Sequence, residues 1–599
     1  SNQVDVMGLQ ATLYLNGQEC DIREIQMLRP RDIEKIEYHD APSGKYAKDK
    51  LVVNFITKQY RYGGYVQADG LQTIGYDHGD YNVATNYVKG NNSYTVFAGA
   101  NYSHVDGTET WNNENYQFPQ SLFDRESYSK NSYRNHQKYM QFRYQNQKGK
   151  RYWVGKFTLV NLSTPRNASS GFAKESTETD VFSNIRKKSL SPKIDLNANL
   201  PLSKNQTLTL GVHGKYSANS YHRLYQEQPF ETMTDEDENA LSFQLSAIYN
   251  YFSQKHSLSV ELFHYHDVWN ADYSGNCELW QHLWKGESLA FFSYNFQASR
   301  RLSLKTRIGL DWLQYHLHGD NSFSQLSPRI NTNVQYQLNK GMLLWSFNFV
   351  NSNHGMDVIN RAMIQVNSHM MEKGMPELKK SHDINTYLYY MGRFNRLSVS
   401  AIGQFRYNHH PVTDDYYLDE ANGKIVKTYS NGGNAQYYSA ILALQYKLCK
   451  FANLSGDIRY SHAEVKTTWS KHNNNLTGNL GLNMFMGDFA LKPYLHFGKK
   501  SLDEAALVIS KTPIDYGMSC SYNRGNLYVE LQAVSPFKKQ EKRYWLDLPI
   551  YSYSKSIKDQ TASQYASIKV AYSFDFGRKT QKIEKDVNKN INSSLLRVE

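Results

Sequence analysis

The sequence predicts an all-β transmembrane fold: an antiparallel outer-membrane β-barrel of about 22 strands with a small α/β plug remnant at its N-terminus. Three observations support this. Runs of ~10 to 14 residues alternate apolar and polar side chains, and tight breaks alternate with longer polar connections. Aromatic residues reach 14% of the 599 residues although the mean hydropathy is only -0.67. In a barrel only alternate residues meet lipid, so hydropathy averages out while aromatic residues collect at both interfaces.

Composition argues against several other classes of protein. No stretch approaches the ~18 consecutive apolar residues that a membrane-spanning helix needs, and the aromatic content is too high for a disordered chain. The four cysteines lie far apart and form no metal or redox pattern. The net charge of +12 is spread along the chain, so we predict no nucleic-acid partner. Basic loops facing outer-membrane lipid and lipopolysaccharide, an anionic ligand, and plain solvated surface stay open as explanations.

Residues 1–62 read as part of a plug domain lying inside the barrel. We expect a short strand at 12–15, a tight turn at Asn16-Gly17, a charged helical stretch near 30–35, and two further strands at 35–39 and 51–57. The residues expected to form the small apolar core of this segment are Ile33, Ile36, Val53 and Phe55.

Residues 63–577 carry the strand pattern of the barrel. In the run 301–312, Ile308, Leu310 and Trp312 alternate with polar residues such as Arg307 and Asp311. Tight breaks, for example at Lys148-Gly149-Lys150, alternate with long polar connections, which indicates short periplasmic turns and long external loops. The longest predicted connections are 106–134, 163–189, 218–238, 351–379, 409–433 and 536–562.

An even number of strands places both ends of the barrel on the same side of the membrane. The last strand, 565–576, ends in the aromatic residues Phe574 and Phe576, which we interpret as the signal that barrel-assembly machinery recognises. We expect residues 578–599, a basic and polar tail, to lie in the periplasm together with the N-terminus. The chain begins at Ser1 without an initiator Met or a leader, so we treat it as processed or incomplete.

Four runs in the N-terminal segment carry a family resemblance. They are Leu13-Tyr14-Leu15-Asn16-Gly17, Leu28-Arg29-Pro30-Arg31-Asp32-Ile33-Glu34-Lys35-Ile36-Glu37, Ala41-Pro42-Ser43-Gly44-Lys45-Tyr46, and Val52-Val53-Asn54-Phe55-Ile56-Thr57-Lys58. Together they resemble the second half of the plug of TonB-dependent receptors, and most closely the receptor-like barrels of the Bacteroidetes. The plug motif residues are Asn16, Gly17, Ile33, Ile36, Glu37, Pro42, Tyr46, Asn54 and Thr57.

The resemblance implies a receptor that binds an external ligand, a glycan, a peptide or a metal chelate, and imports it through a plugged lumen. The chain departs from the family at Ala47 and Leu51, where glycine is usual, and it does not contain the first half of the plug or the TonB box. TonB is therefore expected as a partner if those segments precede Ser1. The alternative is a non-transporting barrel with a reduced plug, acting as a structural or interaction subunit beside a surface lipoprotein or other outer-membrane proteins.

Several residue clusters could carry chemistry, but each has a simpler explanation. We find no nucleophile elbow, P-loop or HExxH motif, so we predict neither an enzyme nor a cofactor. Histidines near aspartates could bind a metal, but interfacial or lumenal positions are favoured and no metal site is predicted. The acidic run 235–238 could hold calcium, but a solvated external loop is favoured. Loop tryptophans suit glycan stacking, lipid anchoring or a protein partner. The histidine clusters are His264, His266 and Asp267; His316, His318 and Asp320; and His409, His410, Asp414 and Asp415, and the tryptophans are Trp111, Trp269, Trp280 and Trp284.

Overall fold

The structure, a computed structural model, describes residues 3–6, 9–15, 18–19, 33–39, 52–57, 62–119, 121–253, 255–320, 322–352, 355–558 and 563–576. Nearly all described elements are strands. The first five are β1 (Gln3–Val6), β2 (Leu9–Leu15), β3 (Gln18–Glu19), β4 (Ile33–His39) and β5 (Val52–Thr57). The next thirteen are β6 (Tyr62–Ile74), β7 (Asp77–Lys89), β8 (Asn92–Phe118), β9 (Ser121–Lys148), β10 (Arg151–Lys174), β11 (Glu178–Ser203), β12 (Gln206–Glu227), β13 (Phe230–Phe252), β14 (His256–Gly275), β15 (Leu279–Gln297), β16 (Leu302–Leu317), β17 (Ser322–Leu338) and β18 (Gly341–Ser352).

The second half of the chain has shorter strands and one short helix. Its elements are α1 (Met356–Ile359), β19 (Met363–Gln365), β20 (Met370–Lys373), β21 (Ser381–Phe394), β22 (Leu397–His409), β23 (Thr413–Asp419), β24 (Lys424–Ser430), β25 (Asn434–Lys447), β26 (Ala452–Lys466), β27 (Ser470–Met486), β28 (Phe489–His496), β29 (Lys499–Asp503), β30 (Val508–Thr512), β31 (Asp515–Arg524), β32 (Leu527–Val534), β33 (Glu541–Asp547), β34 (Tyr551–Lys558) and β35 (Tyr565–Phe576). No helix in the described ranges is long and apolar enough to cross a membrane.

The wall is a closed antiparallel barrel of 22 strands, which confirms the predicted fold class. β35 pairs with β6 and so closes the cylinder. Four of the 22 are interrupted and carry two labels each, namely β28 with β29, β30 with β31, β32 with β33, and β34 with β35. Closure leaves no free sheet edge in the wall, so every wall strand has a hydrogen-bonding neighbour on both sides.

A band of exposed apolar side chains surrounds one end of the wall. At this end the strands are joined by turns such as the one at residues 149–150. Phe142 on β9 pairs with Phe157 on β10, and Phe157 pairs with Ile194 on β11, so the three form a row across adjacent strands. Their side chains are 44%, 47% and 52% exposed. On β9 the alternate residues Gln141 and Arg143 face inward and are buried. Apolar outside and polar inside is the arrangement that a barrel in lipid requires.

Strands β8 to β15 continue well beyond this apolar band and form what we call the wall extension: residues 108–118, 121–134, 166–174, 178–188, 219–227, 230–239, 269–275 and 279–285. The predicted long loops at 106–134, 163–189 and 218–238 are therefore wrong, because these residues form paired strands that turn within a few residues. The strict alternation of tight turns with long loops fails for the same reason. Because the side chains on both faces of the extension are mostly polar, the sequence there lacks the apolar alternation of a membrane strand and resembles a loop.

β6 and β7 do not reach the level of the wall extension. These two strands turn at Gly75-Tyr76, and above their turn β34 pairs directly with β8. The predicted connection 536–562 is thus also partly wrong, because it contains β33 and β34. The predicted connections 351–379 and 409–433 are confirmed as long insertions between wall strands, although each contains short strands of its own.

The N-terminal strands form a separate small sheet in the order β1-β2-β5-β4, with β3 beside β2. The apolar residues Ala11 and Val53 of this sheet pack against inward-facing wall residues, among them Met342, Leu344 and Tyr389. The sheet therefore lies within the barrel. The predicted helical stretch is wrong for residues 33–35, which begin β4, and the predicted strands at 12–15, 35–39 and 51–57 are confirmed within a few residues.

Candidate functional site

The long-strand end of the lumen is filled by two insertions that we call the cap: residues 355–380, with α1, β19 and β20, and residues 410–433, with β23 and β24. Their strands form one sheet in the order β19-β20-β24-β23, in which β20 and β24 are parallel. The sheet buries Met370, Tyr416 and Ile425 against Tyr116 and Tyr551 of the wall. The space in which the sequence predicted ligand binding among long loops is thus occupied by the chain itself.

The first insertion is also held to the wall by hydrogen bonds. Both terminal nitrogens of Arg223 donate to the cap, one to the carbonyl of Gln365 at 2.9 Å and one to that of Val366 at 2.6 Å. The Asn360 amide donates to the Tyr273 hydroxyl at 2.6 Å and accepts from Gln281 at 2.6 Å. These buried contacts fix the cap at positions on three different wall strands.

A buried ionic network centred on Arg125 joins the wall extension to the cap. The Arg125 guanidinium is 2.8 Å from Glu114 on β8 and 2.9 Å from Glu227 on β12. All three side chains are at most 8% exposed. Glu175, 3.7 Å from Arg125, also contacts His369 of the cap at 2.8 Å.

Tyrosine hydroxyls complete the network around these carboxylates. Tyr116 and Tyr551 both donate to Glu114, at 2.9 and 2.8 Å, and Tyr225 donates to Glu227 at 2.8 Å. Burial alone would lower the pKa of Arg125, but the surrounding tyrosines and carboxylates raise it above its ordinary value, so the residue stays cationic. Sequence analysis missed this network, because Arg125 lies about a hundred residues from Tyr225 and Glu227 and no local pattern relates them.

A second ionic group lies within the cap. The Lys427 ammonium is 3.3 Å from Glu372 and 3.4 Å from Asp414. Burial raises the pKa of Asp414 to about 6, although attraction from Lys427 opposes this. Asp414 therefore changes charge in a mildly acidic range, which makes the cap sensitive to pH.

The outer face of the wall carries an open cleft of 660 Å³ where β33 and β34 border the wall extension. A row of paired residues crosses it from strand to strand: Trp545 pairs with Ser554, Ser554 with Asn113, Asn113 with Glu126, and Glu126 with Lys174. Acids, amides and an aromatic ring are groups that bind sugars or amines.

The acidic run at 235–238 is not the solvated loop that the sequence favoured. It lies in β13, where Glu236 and Glu238 face inward and are each 1% exposed. Burial raises the pKa of Glu236 well above its ordinary value, although one of its oxygens accepts from Tyr273 at 2.7 Å. Asp235 faces outward and contacts His222 at 2.6 Å. The prediction failed because the cap covers this part of the wall.

The histidine clusters are separated from the aspartates beside them in sequence. On β14, His264 bonds to Ser288 at 2.9 Å and His266 stacks on Phe243, while Asp267 points to the other face of the strand. The described residues contain no group of three or more His, Cys, Asp or Glu arranged to hold a metal. The remaining pairs have other partners: His316 with Ser322, His318 with Trp280, Asp320 with Arg361, His410 with Asn431, Asp414 with Lys427, and Asp415 with Trp469.

The tryptophans divide between surface and interior. Trp111 and Trp280 are 40% and 49% exposed, Trp284 is half-buried against His266, and Trp269 is buried beneath the cap. Trp111 contacts the Tyr128 ring at 4.4 Å on the outer face of the extension. The described cysteines Cys277, Cys449 and Cys520 are free thiols.

Among the plug motif residues, Asn54 is buried and donates to Glu37 at 2.8 Å. Ile33 is half-buried in β4, and Thr57 ends β5. Ile36 is 56% exposed, so its assignment to an apolar core is wrong, although it pairs with Phe55 and therefore lies on the same face of the sheet as Val53. Asn16, Gly17, Pro42 and Tyr46 lie outside the described residues, as does the tail 577–599.

At the end of the barrel, Phe574 and Phe576 lie on the outer face of β35 and are 55% and 40% exposed. Both therefore belong to the lipid-facing apolar band. Their role as an assembly signal stays a prediction.

No protein-family model and no curated protein sequence matches the chain. Solved structures do match it over almost the whole length. A copper transporter, OprC, has a TM-score of 0.61 at 11% identity, covering 94% of this chain and 90% of its own. The siderophore receptor PirA from Pseudomonas aeruginosa has 0.55 at 13%, covering 95% and 93%. The ferripyoverdine receptor of the outer membrane of Pseudomonas aeruginosa has 0.58 at 10%, covering 96% and 82%. The chain therefore has the fold of outer-membrane TonB-dependent receptors.

Proposed function

We propose that this protein is an outer-membrane receptor of the TonB-dependent type, which binds an external ligand and imports it through a plugged lumen. The observation that carries the proposal is the small sheet of β1 to β5 packed against the inner face of a closed 22-strand wall. A wall of this size encloses a channel unless something fills it, and an internal plug serves a regulated transporter. The copper, siderophore and ferripyoverdine proteins of the same fold support a transport role.

The proposal includes an orientation and a division of the chain. Residues 1–62 form the plug, 63–577 the barrel and 578–599 a tail, with both ends in the periplasm. The long-strand end then faces outward, so the cap and the outer cleft meet the ligand first. TonB would act on the plug from the periplasmic side if a docking segment precedes Ser1.

The cap adds a requirement to this mechanism. A ligand reaches the plug only if the cap moves, and that movement breaks the contacts of Arg223 and of the Arg125 network. Ligand binding supplies the necessary free energy if the ligand binds more tightly to the open state than to the closed state.

A second candidate function is favoured by the cap itself. A lumen closed by buried ion pairs and an apolar sheet suits a barrel that does not transport but supports a complex with a surface lipoprotein or other outer-membrane subunits. The outer cleft beside Trp545 would then be a docking surface.

Deletion of the gene in its host separates the two functions. The deletion strain and a strain lacking TonB are grown on single glycan, peptide and metal-chelate sources. Transport predicts the same source-specific growth defect in both strains. A subunit role predicts no such shared defect, and predicts that other outer-membrane proteins co-purify with the barrel in gentle detergent and lose abundance in the deletion strain.

A further inference from the structure

A group of cations lies on the outer face of β9, β10 and β11, where the apolar band ends and the wall extension begins. We call it the basic patch: Lys138, Arg134, Arg166, Arg186 and Lys188. Arg134 on β9 is paired directly with Arg166 on β10. Lys188 on β11 pairs with Ser163 of β10, and Arg186 lies two residues before Lys188 on the same face. Apart from Arg134, which is half-buried, these side chains are exposed.

The patch borders directly on the lipid-facing surface. Leu190, two residues from Lys188 on the same face of β11, is 44% exposed, and Leu159 on β10 is 37% exposed. Met140, two residues from Lys138 on β9, is 54% exposed. A molecule bound at the patch would therefore have apolar surface below it and water above it.

The backbone changes register at this level on two strands. β8 has a bulge between Asp106 and Thr108, with Gly107 at φ +82°, and β10 has one between Ser163 and Arg166. Bulges turn side chains out of the regular alternation. The second bulge brings Arg166 opposite Arg134 on the outer face.

The positive charge of the patch is only partly balanced. Asp106 accepts from both terminal nitrogens of Arg134, at 3.0 and 2.6 Å. Among the described residues, the pair of Arg134 and Asp106 is the ion pair of the basic patch. Like charges directly opposite each other on paired strands are destabilising, so an anion bridging Arg134 and Arg166 would relieve their repulsion.

The corresponding edge of the band on β13 to β16 has different chemistry. There Phe243, His266, Trp284 and His316 form the outer surface, and His266 stacks on Phe243 at 4.8 Å. Aromatic rings of this kind anchor a barrel at any lipid interface. These strands therefore carry aromatic rings where β9 to β11 carry cations.

We infer that the basic patch binds the phosphate groups of a phosphorylated glycolipid in the outer leaflet, whose acyl chains lie along Met140, Leu159 and Leu190. Arginine forms paired hydrogen bonds to phosphate oxygens, and basic clusters beside a bilayer bind anionic head groups. The inference rests on the proposed outer-membrane location with the long-strand end outward. It specifies one lipid site on one side of the barrel.

The test uses the full chain reconstituted in phosphatidylcholine nanodiscs. The probes are bisphosphorylated lipid A, the same lipid without phosphates, and inorganic phosphate, and bound lipid is counted by native mass spectrometry. The test variant is Arg166→Gln, Arg186→Gln, Lys188→Gln. The control, Lys148→Gln, Lys150→Gln, Lys204→Gln, removes three cations from the opposite end of the wall. Wild type and control are expected to bind bisphosphorylated lipid A about tenfold more tightly than the test variant does.

Three outcomes would overturn the inference. They are equal binding of the phosphorylated and dephosphorylated lipids, unchanged binding by the test variant, and displacement of the lipid by millimolar inorganic phosphate, which would indicate a free-anion site. Failure of wild type to insert into nanodiscs would instead count against the proposed membrane location. A folded, inserted test variant that loses only the phosphate preference would support the inference.

Discussion

The apolar band and the wall extension are built from the same strands but differ in the chemistry of their two faces. On β9, Met140 and Phe142 face outward in the band, while Gln141 and Arg143 are buried inside. Farther along the same strand most outward residues are polar, and Arg125 is buried inside beneath the cap. The comparison teaches that the alternation of residues along a strand determines which face each side chain occupies. The medium on that face, lipid or water, determines whether an apolar or a polar side chain is tolerated there.

The largest expected effect lies in the extension. Arg125→Met leaves Glu114 and Glu227 buried without their cation, which should cost about 3–5 kcal/mol of unfolding free energy, measured by denaturant titration in lipid vesicles. The control is Arg543→Met, whose partner Glu541 is 3.0 Å away at an exposed site, and little change is expected there. Equal effects of the two substitutions would show that the Arg125 network does not hold the extension together.

The next effect lies in the band. Ile308 is 49% exposed on the outer face of β16, so Ile308→Arg would place a charge in lipid and should cost about 2–4 kcal/mol. The exposed Ser170 lies on the outer face of the extension, and Ser170→Arg should change stability by no more than ~0.5 kcal/mol. The difference is measured by unfolding both variants in lipid vesicles. A loss of stability in Ile308→Arg as small as that in Ser170→Arg would contradict the assignment of the band to lipid.

A smaller effect is expected from the titration of Asp414 in the cap. The pKa of Asp414 is raised from 3.8 to about 6, so between these values the folded state binds more protons than the unfolded state. Stability should therefore fall as pH rises through this window, by on the order of 1–2 kcal/mol. Asp414→Asn should reduce the slope of this dependence in denaturant titrations at several pH values, and an unchanged slope would mean that Asp414 does not contribute to it.

The smallest effect on stability is expected from adding or removing a metal ion. His264 is bonded to Ser288, and Asp267 faces the opposite side of β14. Zinc, or a chelator such as EDTA, should therefore leave the thermal unfolding midpoint of the reconstituted protein unchanged. A zinc-dependent increase that is lost in His264→Gln would reveal a site that the geometry does not favour.

Sequence reasoning was most successful in the band and least successful in the extension. The alternation around Ile308, Leu310 and Trp312 predicted both the strand and its outward face, because lipid demands apolar side chains at every second position. In the extension water lies outside, so most outward residues of β8 and β9 are polar and the sequence of these strands resembles that of loops. Glu236 was placed in solvent because no local pattern shows that the cap, more than a hundred residues later, covers it.

Site-directed spin labelling along residues 304–312 of β16 tests the central claim most directly. Single cysteines are introduced into a chain whose four native cysteines are replaced, and collision with oxygen and with a water-soluble nickel complex is measured in vesicles. The account predicts a two-residue period, with Ile308, Leu310 and Trp312 accessible to oxygen and shielded from nickel, and with Arg307 and Asp311 shielded from oxygen. Nickel accessibility on the Ile308 face, or no alternation at all, would contradict a lipid-embedded barrel wall.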